Sequence, residues 1–211
     1  PILEQPLVQT LLAKMAVNIE AARALLYRAL TLLDWNVARE AAVRRGEGSE
    51  QMVKDLERDT GRLRLLTPLA KYFATEICHD LTRDAMQVFG GIGFTMDADV
   101  AKLHADSLIM TVYEGTSEIQ ASFALREMGK GALQLALGRI REELQASAEA
   151  PELQPLAERI LQTISRVEEA SQVLFADPPY ALLRAKLMAQ MVIDLISASE
   201  LLIQEIGRAH V

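Results

Sequence analysis

Apolar residues recur at steps of three and four along almost the whole chain of 211 residues. This spacing places them on one face of an α-helix. Short polar stretches that contain glycine, serine or proline interrupt the pattern and divide it into segments. The pattern therefore predicts an all-α protein, an up-and-down helical bundle with additional helices at its C-terminal end.

The first segments of the pattern predict a long helix followed by a short one. The long helix is expected to begin near Pro6, because proline suits a first helical turn. It is expected to end in the polar loop 44–49. Ser49 is expected to cap a short helix over residues 50–60, which breaks near Gly61.

A second long helix is predicted over residues 66–88. Pro68 lies near its expected start, where a missing N–H costs little, and Gly90 is its expected stop. A short helix should follow at about 97–107. Residues 108–113 are strongly β-forming but have no partner strand, so we interpret them as an extended, buried connector.

The remaining pattern predicts three more helices. Thr116 or Ser117 is expected to cap a helix that runs to about Ala148. Prolines then interrupt the chain, and two further helices carry apolar faces over residues 156–174 and 183–202.

Charge and composition narrow the function classes. The chain has 22 basic and 29 acidic residues, a net charge of −7, and no basic stripe, which disfavours nucleic acid as a partner. Cys78 is the single cysteine, and His79, His104 and His210 lack metal-ligand spacing, so we predict neither a disulfide nor a metal site. No segment reads as a membrane span, and we expect a reducing compartment, most simply the cytoplasm.

Candidate chemistry is concentrated in two motifs. Residues 87–94 read Gln-Val-Phe-Gly-Gly-Ile-Gly-Phe, a glycine-rich loop that either lets a ligand approach the backbone or simply ends a helix. Residues 113–120 read Tyr-Glu-Gly-Thr-Ser-Glu-Ile-Gln. Glu114 follows directly after an apolar run, so we expect its side chain to be partly desolvated, with a pKa raised toward that of a general base. The alternative is a carboxylate that only complements a helix N-terminus.

These two motifs, in this order and about twenty residues apart, resemble the C-terminal domain of the acyl-CoA dehydrogenase family. The opening helix, with residues 6–9 and 20–23, is similar to the first helix of that domain. The resemblance predicts a helical bundle over residues 1–130. Residues 131–211 resemble the C-terminal helical extension of a longer subgroup, packed on the bundle.

The resemblance implies a reaction. In this family the corresponding glutamate, here Glu114, removes the proton α to an acyl-CoA thioester while the β-hydride passes to N5 of FAD. Gly115 is then expected to let the substrate approach the backbone. The resemblance also implies an electron-transfer acceptor for the full-length enzyme.

The same resemblance implies cofactor contacts. Thr116 and Glu118 fall where the family contacts the flavin nucleotide, at a helix N-terminus that suits a pyrophosphate. Another set matches the stretch that reaches the FAD of a neighbouring subunit, which implies a homo-oligomer, a dimer or a dimer of dimers. That set is Gln87, Val88, Phe89, Gly90 and Gly91.

The chain departs from the family pattern in three ways. Residues 105–107 read Ala-Asp-Ser where the family often has Arg-Asp-Ala, and Ala121 replaces a usual arginine. The N-terminal and middle domains of the family are missing, so we interpret the chain as a fragment that is inactive and flavin-free alone. The alternatives are a helical oligomerisation or binding module with a vestigial site, and a flavin-dependent relative that acts on another substrate, such as a flavin protein linked to DNA alkylation damage.

Overall fold

The computed structural model describes residues 1–146 and 151–209, and the side chains of residues 1–145 and 151–205. Within these residues all regular elements are helical and no strand is present, which confirms the predicted all-α fold. The α-helices are α1 (Pro6–Arg44), α2 (Glu50–Phe89), α3 (Val100–Met110), α4 (Ser117–Glu127), α5 (Leu133–Ala146), α6 (Gln154–Phe175), α7 (Pro178–Leu183) and α8 (Ala185–Ala209).

The two longest helices organise the bundle. α1 and α2 have 39 and 40 residues and pack against each other as a hairpin. α2 also contacts α3, α4 and α5, while α8 packs against α1, α4 and α6. One continuous core of buried apolar residues therefore joins the N-terminal helices to those after residue 131.

The start of α2 was predicted correctly, but its length was not. Ser49 caps it, since its hydroxyl oxygen accepts a hydrogen bond of 3.1 Å from the N–H of Met52. The predicted break near Gly61 is wrong, because α2 continues through this residue. A Cβ at Gly61 would lie 2.9 Å from a methyl carbon of Leu135, so the glycine instead lets α5 approach α2 closely. Pro68 is buried in the middle of the same continuous helix rather than near a start.

The prediction of an extended buried connector over residues 108–113 is wrong. Its first three residues form the last turn of α3, and the next residues form a turn. Leu108 is 54% exposed and Val112 is 55% exposed. β-Propensity expresses how a side chain fits a sheet surface, and without a neighbouring strand it does not determine the backbone.

The later helices follow the predicted order with two added breaks. A π-helical turn, Met128–Ala132, separates α4 from α5, and Gly131 there has a φ of 97°. The predicted end near Ala148 lies outside the described residues. Asp177 caps the short α7, accepting a hydrogen bond of 3.2 Å from the N–H of Tyr180, and α8 then begins at Ala185.

One segment of α8 is long and apolar enough to cross a membrane, contrary to the prediction that the chain has no such segment. Residues Ala185–Glu205 are long and apolar enough, with a mean hydropathy of 1.4, but 56% of this segment is buried inside the described bundle. It also carries Glu200, whose Oε1 lies 3.1 Å from Nε of Arg28. Its hydropathy is accounted for by its place in the core.

Buried charges join the long helices. Asp59 of α2 is 2% exposed and accepts hydrogen bonds of 2.7 Å from Arg39 of α1 and 3.1 Å from Arg62. Burial alone would raise the pKa of Asp59, but the hydrogen bonds from Arg39 and Arg58 and the charge of Arg62 outweigh it and lower the pKa below 3.8. Asp59 is therefore charged wherever the protein is folded near neutral pH.

We expect Asp59→Asn to lower the free energy of unfolding by about 3–5 kcal/mol at pH 7, because it leaves the buried Arg62 without its counter-charge. A lowered pKa gives stability that is present above the unfolded pKa and lost as pH falls through the folded one. The deficit should therefore be constant near neutral pH and shrink only below pH 3.8. Urea denaturation across pH measures both.

The matched control is Glu40→Gln, because Glu40 is 48% exposed and pairs with Arg44 on the surface of α1. Exposed pairs contribute at most about 1 kcal/mol, so this variant should unfold almost as the parent does. Equal stability of Asp59→Asn and the parent at pH 7 would contradict this account of the core.

Candidate functional site

The turn between α3 and α4 has unusual backbone geometry. Glu114 has a φ of 55°, the only positive φ of a non-glycine among the described residues, and Gly115 follows with a φ of 96°. A glutamate is strained in this region, and such strain persists only where neighbouring groups fix the backbone. The turn therefore has a defined shape rather than that of a generic loop.

Two side chains from outside the turn fix it. Lys71 of α2 donates a hydrogen bond of 2.7 Å from Nζ to the carbonyl of Gly115. Gln120 of α4 donates one of 2.8 Å from Nε2 to the carbonyl of Glu114. The Lys71 ammonium also lies 6.0 Å from the ring centre of Tyr113. Sequence reasoning missed Lys71 because no local pattern links residues 44 positions apart.

Glu114 and Gly115 lie at one side of an open groove between α2 and α4, with a volume of about 490 Å³. The rest of its lining is mostly apolar or uncharged and comprises Thr60, Leu63, Arg64, Thr67, Pro68, Ile119, Gln120 and Phe123. A larger cavity of about 710 Å³ lies between α6 and α8, and none of the motif residues line it. In the smaller groove, Glu114, the predicted catalytic base, therefore lies beside a hydrophobic surface.

The expected desolvation of Glu114 is not present in this chain. Its side chain is exposed, and its neighbour Tyr113 is 51% exposed. The expectation rested on a buried connector before Glu114, and that segment is instead an exposed helix end and turn. Any dry environment for this carboxylate must come from groups that cover the groove.

The N-terminus of α4 carries the second set of predicted residues. Thr116 occupies the cap position but makes no side-chain capping hydrogen bond, so the expected cap is absent. Instead, the Ser117 hydroxyl donates to the carboxylate of Glu76 on α2. Glu118 pairs with Lys186 of α8, with Nζ 3.0 Å from Oε1. The hydrogen bond from Lys186 is the main cause that lowers the pKa of Glu118.

The glycine-rich motif lies at the other end of α2. The helix ends at Phe89, as predicted, and Gly90 follows with a φ of 64°. The exposed residues of the predicted set are Gln87, Phe89, Gly90 and Gly91, whereas Val88 is half-buried. A Cβ on Gly91 would meet no atom within 4 Å. The rise of a helix puts Gln87 about 24 Å from Lys71, so one chain does not bring the two motifs together.

The two departures from the family pattern at residues 105–107 and at Ala121 have structural counterparts. Ala121 is completely buried in the core that α4 shares with α8, where a small residue permits close packing. Asp106 is exposed, while Ser107 is buried and its hydroxyl lies 3.3 Å from Nδ1 of His79.

Sequence reasoning treated the histidines as unrelated, but the structure brings two of them together. His79 of α2 and His104 of α3 stack with ring centres 4.7 Å apart. The hydroxyl oxygen of Thr82 lies 3.0 Å from Nδ1 of His104 and adds a polar contact between α2 and α3. No group of three metal-ligating side chains occurs in the described part of the chain, and His210 lies outside it.

The fold and the site define a helical domain that presents a carboxylate beside an apolar groove. The family model for "Acyl-CoA dehydrogenase, C-terminal domain" matches residues 1–129. This match spans more than half of the chain, and the chain belongs to the acyl-CoA dehydrogenase family, whose members are oxidoreductases.

Named relatives agree with this assignment. Cyclohexane-1-carbonyl-CoA dehydrogenase of Geobacter metallireducens is 32% identical over 132 residues, which cover 63% of this chain and 28% of the relative. The caffeyl-CoA reductase-Etf complex subunit CarC of Acetobacterium woodii is 30% identical over 52% of this chain and 23% of its own length. The chain thus spans about a quarter of the length of these relatives.

The fold extends the similarity past residue 129. The crystal structure of ACDH-11 of Caenorhabditis elegans in complex with C11-CoA superposes with a TM-score of 0.79 at 21% identity. The superposition covers 98% of this chain and 34% of that one. The helices after residue 131 therefore also occur in an arrangement known from a solved structure.

We expect Gly115→Ala to lower the free energy of unfolding by about 1–3 kcal/mol, because a side chain strains a backbone with a φ of 96°. Its Cβ would also lie 2.8 Å from the amide nitrogen of Gln120. Gly138→Ala is the control, since Gly138 is helical with no atom within 4 Å of an added Cβ, and alanine favours helix. Thermal and urea unfolding that ranked the two variants equally would contradict the described turn.

Proposed function

We propose that this chain is the C-terminal helical part of an FAD-dependent acyl-CoA dehydrogenase, in which Glu114 is the base that removes the α-proton of an acyl-CoA thioester. The observation that carries the proposal is the position of Glu114 in a constrained turn at the edge of an apolar groove. An acyl chain in the groove would bring the thioester end to the carboxylate.

The groove and its turn suit the removal of a weakly acidic proton. An exposed carboxylate is a weak base, and covering it would raise its pKa toward the range of a useful general base. The groove is open, so a bound acyl chain and the parts of the longer protein that lie over it would exclude water from Glu114. Gly115 has no side chain to obstruct the thioester, and the hydrogen bond from Lys71 holds its carbonyl in place.

The resemblance assigns the residues at the start of α4 to the flavin nucleotide. Thr116 makes no side-chain cap there, but the N–H of Ser117 already donates to the carbonyl of Thr111 and the Glu118 carboxylate accepts a backbone hydrogen bond, so a bound anion would have to displace that carboxylate. Glu118 is the member of the set with the wrong charge, and its pairing with Lys186 offsets that charge. FAD, when bound, would accept the β-hydride of the substrate. We expect the chain alone to bind no flavin, because most of a cofactor's surface must be buried in its site.

The separation of the two motifs favours a homo-oligomer. Gly90 and Gly91 lie too far from Glu114 to serve the same site in one chain, so we propose that this loop contacts the cofactor of a neighbouring subunit. The exposed Phe89 and Phe94, 57% and 83% exposed, would be covered in that assembly. The relative named as a subunit of an Etf complex supports an electron-transferring protein as the acceptor.

We expect Glu114→Gln, made in the full-length protein, to slow the reduction of flavin by acyl-CoA roughly 10²–10⁴-fold. The amide keeps the shape of the side chain but cannot accept the proton as a carboxylate does. Anaerobic bleaching of the flavin after mixing with acyl-CoA measures this step, and a parallel titration measures substrate binding, which should persist.

Glu118→Gln is the control for this experiment. Glu118 lies in the first turn of α4, close to the expected nucleotide, so its substitution should alter flavin affinity more than the rate of bleaching. Bleaching of Glu114→Gln at the parent rate would place the base elsewhere. It would then favour the alternative in which this domain is an oligomerisation module with a vestigial carboxylate.

A further inference from the structure

The cavity of about 710 Å³ between α6 and α8 takes no part in the candidate site. Its floor is apolar, with buried side chains of Ile160 and Val167 from α6 and of Leu195 and Leu202 from α8. It is a groove that opens to solvent, and we call it the α6–α8 groove. All of its lining residues lie beyond residue 129, where the family model ends, so the family motifs do not account for it.

The two edges of the α6–α8 groove carry opposite charges. Arg159 and Arg166 are about two helical turns apart on α6, so they lie along the same side of that helix. Asp194 and Glu205 are about three turns apart on α8 and share a side in the same way. All four residues line the groove and are exposed, so one edge is basic and the other is acidic.

The basic edge is not neutralised by the chain itself. Arg141 is an example of a paired arginine nearby, because it donates hydrogen bonds of 2.8 Å and 2.6 Å to the carboxylate of Glu168 on α6. Among the described residues, neither Arg159 nor Arg166 has such a carboxylate partner. The acidic edge lies across the apolar floor, so one chain does not bring the two rows of charge together.

Exposed apolar side chains continue the groove beyond its charged edges. Val173 lies about two turns after the second arginine of α6, and Leu187 lies about two turns before the first acidic residue of α8. These side chains are 75% and 59% exposed. At the middle of the groove, Thr163 and Ala198 present short side chains to the solvent, which permits another surface to approach closely. An apolar strip of this kind with a charged rim is typical of a protein contact.

An occupant has to match both edges at once. A ligand with an apolar body and an anionic head would suit the basic edge but would meet carboxylates on the other side, and a cationic amphiphile would have the reverse problem. A second copy of the chain carries both edges itself. When the two copies face each other with the two-fold axis along the groove, each α6 lies over the α8 of the other copy, and basic opposes acidic twice. With the axis across the groove, α6 would lie over α6 and like charges would repel.

We propose that the α6–α8 groove is an interface between two copies of this chain, which pack face to face about a two-fold axis parallel to the groove. The arginines of each copy then lie against Asp194 and Glu205 of the other. The basic row extends about 10 Å and the acidic row about 16 Å, so the rows overlap and the long arginine side chains can span the difference. This contact is separate from the one proposed at Gly90, and it requires neither flavin nor Glu114.

Exchange of the edge charges in the full-length protein tests the interface, with the molar mass from sedimentation as the readout. An all-acidic variant carries Arg159→Glu and Arg166→Glu, and an all-basic variant carries Asp194→Lys and Glu205→Lys. Either variant alone brings like charges together at both edges, so its mass should be about half that of the parent. An equimolar mixture of the two should recover the parental mass, because each edge then faces the opposite charge again.

Two further variants separate the interface from general effects of charge. Arg44→Glu with Arg45→Glu changes the net charge as the all-acidic variant does, but at the exposed end of α1, and it should keep the parental mass. Ala198→Trp changes no charge and places a bulky side chain at an exposed position in the middle of the groove, so it should also halve the mass. If thermal unfolding shows that a charge variant is not folded, Ala198→Trp decides the outcome.

Several outcomes would overturn the inference. These are a monomeric parent, the parental mass in the folded charge variants or in Ala198→Trp, and a halved mass in the α1 control. Halved masses that the mixture does not recover would overturn it too, because the groove would then be covered by another part of the longer protein or by a different partner. Flavin bleaching by acyl-CoA should be equal in all variants, and its absence from the parent would overturn the proposed function but not this inference.

Discussion

The candidate site depends on one backbone constraint, the two consecutive residues with positive φ at Glu114 and Gly115. A chain relaxes such strain unless other groups hold it, and here Lys71 and Gln120 each bind one carbonyl of the turn. These two donors come from the helices on either side of the groove. The same pair of helices, α2 and α4, therefore holds the backbone of the turn at Glu114 and forms the apolar groove beside it.

This contact requires α2 to continue without a break along 40 residues. Its charged anchor is Asp59, held by arginines of α1 and α2 at the end of the helix where the groove begins. Its other end carries the glycine-rich loop at Gly90. One rigid helix thus sets the distance between the two family motifs, and this distance is the physical reason why the proposal assigns them to sites of different subunits.

The sequence was sufficient for the all-α class, for several helix ends and for the identity of the motifs, because these depend on local chemistry. Periodicity predicted the apolar faces, and Ser49 and Gly90 marked the ends of α2 correctly. Local reasoning failed where tertiary packing overrides propensity: α5 packs over Gly61, and Pro68 is retained inside a helix surrounded by core leucines. It also missed Lys71 and Lys186, whose partners lie 44 and 68 residues away, because side-chain contacts at such separations leave no local pattern.

The central claim is that Glu114 removes an α-proton, and exchange of that proton with solvent tests it most directly. The substrate is 3,3-dimethylbutanoyl-CoA, which has α-hydrogens but no β-hydrogen, so hydride cannot leave and proton removal is observed alone. The full-length protein in deuterated water should introduce deuterium at the α-carbon, and Glu114→Gln should lose this activity roughly 10²–10⁴-fold. Exchange at the same rate in both proteins would contradict the account, because another group would then be the base.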